Sequence, residues 1–380
     1  MPTPVPSPEA ANLQPPDVEE VEHLARGVFA AISPDGGLSE LQQLLTTAAF
    51  DAMTGVRPSE SHEPIDPDKF AEGLADRNEA FRVRILQTMI LGALVLRPLP
   101  DEVATRVEAF ARAMSVDDAM LGVARRFAQG QLGLAAIDFD RNGYTADWAP
   151  ERAETLRTTT RLDDAWQQAT DDPELAARWA DLEHLAADSL GRKVWEFYQA
   201  RGFAFPGQPG SAPPLLAQHD WVHVLADYGS RVESELEVFA FIARANDDPR
   251  GFSLLAMVIS LFETGYLATG AGLFEAFPGQ LSSDGMAQRL ADALRRGALS
   301  HGLDGEPDVD FLALDWFALA AQPLHRLQAR FGIVPKSDLA IRAGSVGPWQ
   351  PGGISPFQHD TGRQAAATQG RTYNAYGATP

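Results

Sequence analysis

Apolar residues in this chain recur with the 3.6-residue period of an α-helix almost from end to end, and runs that alternate with period two are missing. That pattern leaves room for helix packing and little else. Val21, Leu24 and Val28 form one stripe; Leu41, Leu44, Leu45 and Ala48 form another after the break at Pro34-Asp35-Gly36-Gly37. Further helical blocks are predicted over 66–76, 79–96, 101–114 and 117–136, with prolines between the blocks, where a missing N–H costs least. A second helical half runs from about 155 to 333, interrupted by Pro/Gly-rich residues 205–214. The expected fold is therefore all-α. It comprises an N-terminal helical domain over 18–137, a linker over 138–154 and a C-terminal helical domain over 155–335. Residues 1–17 are Pro-rich and 336–380 are crowded with turn formers, so both ends are predicted to be disordered tails.

A chain of 380 residues can bury a sizeable core in each of two domains. Lys and Arg total 31 against 52 Asp and Glu, a net charge of −21. Such a surface repels phosphate backbones, and no basic run offsets it, so nucleic acid is not an expected partner. Cysteine is absent, which excludes disulfides, thiolate catalysis and Cys-based metal sites. Histidine and carboxylates are the side chains left to hold a metal. Residues 1–17 lack the basic start and apolar block of a secretory signal. The most apolar stretch, 254–262, is too short to cross a bilayer, and extending it brings in Glu263 and three glycines. The expected location is the cytoplasm, with contact at the inner face of the membrane left open.

Two acidic turns invite a metal reading. Asp138, Asp140, Asn142 and Gly143 match the first half of a calcium loop, but Ala149 stands where the bidentate Glu belongs. An interdomain turn is the better reading. Asp35 to Glu40 reads as a Gly break followed by a Ser39 helix cap. The pattern of a helix, Pro-Asp-Gly and Leu-Ser-Glu-Leu-Gln, with helical hairpins after it, loosely resembles TerB-like tellurite-resistance domains.

The informative segment is 218–235. His219 and His223, four residues apart, project from one face of a helix, and Asp220 falls within the same arc. On an unbroken helix Glu235 would face away by roughly 120°. Tyr228-Gly229 supplies a stop, however, and Ser230-x-x-Glu233 reads as a capping box that opens a second helix. Two helices joined by that turn bring Glu235 back over the histidines. The donors would be His219, Asp220, His223 and Glu235, a set that suits zinc with an open position, or iron or manganese. A bare pair of histidines at this spacing is more often an ordinary helix surface. The adjacent Asp and the flanking apolar residues Trp221, Val222, Val224 and Leu225 argue for a half-buried site instead.

His219-Asp220-x-x-His223, eleven further residues and Glu235 together resemble the signature of the Coq-four family of ubiquinone-biosynthesis proteins. Residues 190–198 resemble that family's helix ahead of the motif, and Arg296-Gly297-Ala298 and 322–333 resemble its closing helices. Two positions depart: Ala226-Asp227 replaces the usual Thr-Gly, and Ser234 replaces the Gly before the final Glu. The resemblance spans about 160–335. It implies an all-α protein that holds a divalent metal beside a prenyl-chain pocket. It also implies replacement of the ring carboxylate of a prenylated hydroxybenzoate by hydroxyl. Implied partners are a polyprenyl lipid or quinone precursor and other quinone-biosynthesis enzymes; a second copy of the chain is a further expected partner.

Residues 251–277 are apolar on nearly all faces; such a helix is more often simply a domain's central core, and here it is also the expected wall of a lipid tunnel. Glu263 within that stretch and Asp227 are the candidate proton-handling groups. Two other readings stand beside the enzyme. One is a non-catalytic scaffold in which the metal staples two helices. The other is an HD-type phosphohydrolase built on His219-Asp220, with His184 as the upstream ligand that class needs.

Overall fold

The computed structural model describes residues 16–59, 63–96, 99–116, 172–209, 211–212, 214, 217–245, 255, 259, 281, 283–306 and 309–380. Fourteen α-helices are present among them and no β-strand, only two isolated bridges. The chain is all-α. No helix among the described residues is long and apolar enough to cross a membrane.

Two compact units share the chain, and neither is continuous in sequence. The first takes residues 1–130, 239–309 and 335–344; the second takes 131–238, 310–334 and 345–380. The sequence-order boundary near 138–154 therefore does not describe how the helices group. Residues 117–171, which contain that linker and the calcium-like turn, lie outside the described residues, as do 1–15.

In the first unit, α1 (Val18–Ile32) starts at Asp17, whose side chain accepts from the Glu20 amide, with Glu19 and Glu20 favouring the positive end of the dipole. It buries Val21, Leu24 and Val28, the stripe expected from their spacing, and Phe29 with them. Next, α2 (Glu40–Thr54) opens with a capping box between Ser39 and Gln42, so the Asp35–Glu40 turn is a helix start. Gln42 is fully buried, and its amide donates to the carbonyls of Ile32 and Gly92, both at 2.9 Å. One side chain thus ties α2 to the end of α1 and to α4 (Glu79–Leu94), with α3 (Pro67–Glu72) between them in sequence. Gly27 lets α1 meet α3, because a Cβ there would lie 2.1 Å from the Phe70 ring. Helix α5 (Asp101–Ala113) packs on α1 and α3.

The second unit contains α6 (Pro173–Asp181), α7 (Leu190–Arg201), α8 (Gln218–Leu225) and the first turns of α9 (Val232–Ala245). The helix α10 (Met286–Leu299) belongs to the first unit and packs on α2, which places sequence-distant residues in one core. Back in the second unit come α11 (Trp316–Leu319) and α12 (Leu324–Arg330). Short α13 (Asp338–Arg342) packs on α10 in the first unit, and α14 (Pro356–Thr368) packs on α7 in the second. Trp179, Tyr198, Phe205 and Trp221 form an aromatic centre in the second unit, with Trp179 and Tyr198 ring centroids 5.0 Å apart.

The expectation of a disordered tail over 336–380 is corrected here. These residues are folded, with a Ser355/Gln358 capping box opening α14 and Gln358, Ile354, Ala366 and Ala378 buried. The order of 345–380 comes from contacts with α7 rather than from a helix-period stripe. Ala200 of α7 packs with Ile354 and Ala378, and Tyr373 donates its hydroxyl to the Ala200 carbonyl at 2.9 Å.

Candidate metal centre

Helix α8 ends at Leu225, where the Ala226 amide bonds back to the Val222 carbonyl at 2.8 Å. Asp227 then takes a left-handed conformation with φ 62°, a position that favours Gly and tolerates Asp. The helix stop therefore comes before the Tyr228-Gly229 pair read from the sequence. Helix α9 begins at Val232, with the Arg231 carbonyl accepting from the Glu235 amide at 2.9 Å. The predicted Ser230 cap is a second correction. Ser230 Oγ accepts from Arg201 Nε at 2.5 Å and donates to Gln358 Oε1 at 2.8 Å, engaging partners far along the chain.

The turn nevertheless returns Glu235 to the histidine pair. Glu235 Oε2 lies 3.2 Å from His223 Nε2 and 3.4 Å from His219 Nε2, and all three side chains are at most 2% exposed. The imidazole centroids are 5.2 Å apart. Donors 2.0–2.1 Å from a tetrahedral ion are separated by about 3.3–3.4 Å, the edge of the tetrahedron. Both nitrogen-to-oxygen separations fall close to that edge, and the donor set of two imidazoles and a carboxylate suits a borderline divalent ion. Burial pushes the Glu235 carboxyl up, but the two imidazoles beside it, His223 first, outweigh that effect. The group is held well below the usual carboxylate range.

Asp220, the fourth expected ligand, is only partly brought in. Its Oδ1 lies 3.8 Å from His219 Nε2, while its Oδ2 accepts from the Tyr198 hydroxyl at 2.5 Å. The three-residue group of His219, His223 and Glu235 does not include it. Asp227 lies in the turn, half-exposed and outside that group, with its carboxylate facing Gly347, where a Cβ would sit 2.1 Å from Oδ1. Glu263 lies outside the described residues, as does most of 251–277; Leu255 and Ile259 are helical and buried. His184 is exposed on a 3-10 turn and is not among the grouped ligands.

Sequence reasoning did not assign roles to three residues of α7 that shape the site. Phe197 stacks on the His223 ring, centroids 5.4 Å apart and planes 26° from parallel. The Arg201 guanidinium lies 3.7 Å from the centroid of that same phenyl ring. Tyr198 holds Asp220. Their signal was present: Val194, Phe197, Tyr198 and Arg201 recur at three- and four-residue steps along one helix face. An arginine on an apolar stripe marks a buried network.

Comparison with protein-family models, curated proteins and solved structures gave no match to this chain.

Proposed function

We propose that this chain binds one divalent metal ion through His219, His223 and Glu235, and acts on a prenylated aromatic acid in quinone biosynthesis. Zinc is the first candidate, with iron or manganese as alternatives. The observation that carries the metal is the meeting of three buried donors from two helices at tetrahedral-edge separations. The substrate rests on the resemblance of 160–335 to the Coq-four family. In the proposed reaction the ring carboxyl leaves as carbon dioxide and the ring carbon gains a hydroxyl. Two electrons are released, so dioxygen from solution must accept them, giving peroxide when water supplies the hydroxyl oxygen. A bound ion would supply a Lewis acid to hold the carboxylate. Three protein donors leave a tetrahedral position for it while Tyr198 keeps one oxygen of Asp220 occupied. Asp227 and Glu263 stay the candidates for moving protons.

One observation favours the scaffold instead: the ligands are almost wholly buried and Phe197 covers one face of His223. With Asp220 as a fourth donor the metal would be closed and would staple α8 to α9. Metal analysis of untagged protein, with X-ray absorption at the metal edge and native mass spectrometry for lipid, separates the readings. A stoichiometric metal with three protein donors and one exchangeable ligand supports the enzyme. Four protein donors support the scaffold, and absence of metal removes both. Carbon dioxide release from a prenylated hydroxybenzoate in aerated buffer then tests the reaction itself.

A further inference from the structure

We infer that the N-terminal helices carry a second ligand site, a solvent-open cleft of about 500 Å³ that takes a small organic monoanion with an apolar body. It is formed by the C-terminal end of α1, the turn after it, the start of α2, residues 63–64 and α5. The size falls within the range of roughly 300–1,000 Å³ that small-molecule sites occupy. It shares no residue with the His219, His223 and Glu235 group.

The charge comes from Arg26 on α1 and Arg106 on α5, which both line the cavity. Neither of these two has an ion-pair partner among the described residues. Arg26 Nε donates to the Glu63 carbonyl at 3.2 Å, and Arg106 donates to the Ser33 carbonyl. Arg106 Nε is buried with no hydrogen-bond partner among the described residues. Each guanidinium carries five N–H donors in a fixed fork, and the fork matches a carboxylate. The bond to Ser33 also places a cation at the negative end of α1, a local role that uses only part of Arg106.

The rest of the lining narrows the ligand. Phe29, Ala30, Leu38 and Pro64 supply apolar wall, so a bare inorganic anion would leave most of the cavity unfilled. Asp35 and Glu63 also line it and are exposed, and they oppose a second negative charge. Nucleotides and other polyanions are disfavoured on that ground and by the net charge of −21. The class that remains is a carboxylate on a hydrocarbon or aromatic body.

Calorimetric titration of the full chain with naphthoate tests this. Saturable one-to-one binding is expected, with uncharged naphthamide binding about tenfold more weakly or worse and dianionic naphthyl phosphate also weaker than naphthoate. Arg26→Leu and Arg106→Leu should each weaken naphthoate by about tenfold or more. Ala30→Trp should block binding by filling the cavity while both arginines stay. An unchanged melting temperature shows that each variant is folded. Should Arg106→Leu fail to fold, Arg26→Leu and Ala30→Trp decide. The proposal is overturned by absence of saturable binding, by equal affinity for naphthamide, or by folded variants that bind naphthoate as the native chain does.

Discussion

Helix α8 with the first turns of α9, and the C-terminal segment 345–380, belong to the same compact unit, yet only the former announces itself in the sequence. In the pair, the spacing of the candidate donors is local: His219 and His223 are one helical turn apart, and a short turn returns Glu235. The C-terminal segment is rich in Gly, Pro and Gln and has little apolar periodicity. It is ordered by partners more than a hundred residues away. Arg201, fully buried on α7, donates to the Pro348 carbonyl at 3.2 Å and the Gly353 carbonyl at 2.8 Å. Gln358 donates to the Ser230 carbonyl at 2.8 Å, and the Gly229 amide bonds to the Val346 carbonyl at 3.0 Å. The segment thus grips the turn that carries Glu235 back to the histidines. Low hydrophobicity did not mean disorder, because buried hydrogen bonds to a charged group order a chain that apolar burial alone would not.

The two regions should therefore fail differently. The largest effect is expected from His219→Ala, which should cost at least about a hundredfold in zinc affinity while far-ultraviolet circular dichroism stays near native. Acid gives an independent check on the same site. Glu235 ionises more easily folded than unfolded, so its contribution is full above its reference value of 4.5 and is lost as pH falls below it. The stability gap between the native chain and Glu235→Gln should accordingly narrow with acidification below that value. A gap that widens would contradict the geometry.

Arg201→Met comes next. It strips charged donors from the Pro348 and Gly353 carbonyls and should destabilise the second unit by about 3 kcal/mol, read in urea unfolding. Proteolysis of the C-terminal segment should precede global unfolding in this variant. A segment as protected as in the native chain would break the contrast drawn above. Tyr198→Phe removes the donor to Asp220 and should weaken zinc by about tenfold, the low end for groups that orient ligands from behind. No change in affinity would mean that Asp220 does not touch the metal's environment. The smallest effect is expected from Gln358→Ala, about 1–2 kcal/mol of stability with zinc stoichiometry intact, because Arg201 still holds the segment.

Much of the helical fold was legible. Ser39 caps α2 as read from the sequence, and Asp17, Asp66 and Asn78 cap their helices in the same way, since a cap and its amide lie within three residues. The candidate site was legible in three of its potential donors for the same reason. Ser230 misled because its hydroxyl found Arg201 and Gln358 before a local amide, and such competition is invisible in a short window.

Taken by itself, the amino-acid order determined the all-α class, several helix starts in the N-terminal part and the spacing that lets His219, His223 and Glu235 meet. These follow from interactions spanning a few residues, where periodicity and caps are strong guides. The tertiary structure alone decided that residues 239–309 join the N-terminal helices, that Asp220 turns one oxygen to Tyr198, and that 345–380 folds. Each depends on which distant surfaces and buried polar groups pair. That choice rests on the complementarity of whole faces, which no local stretch of sequence carries.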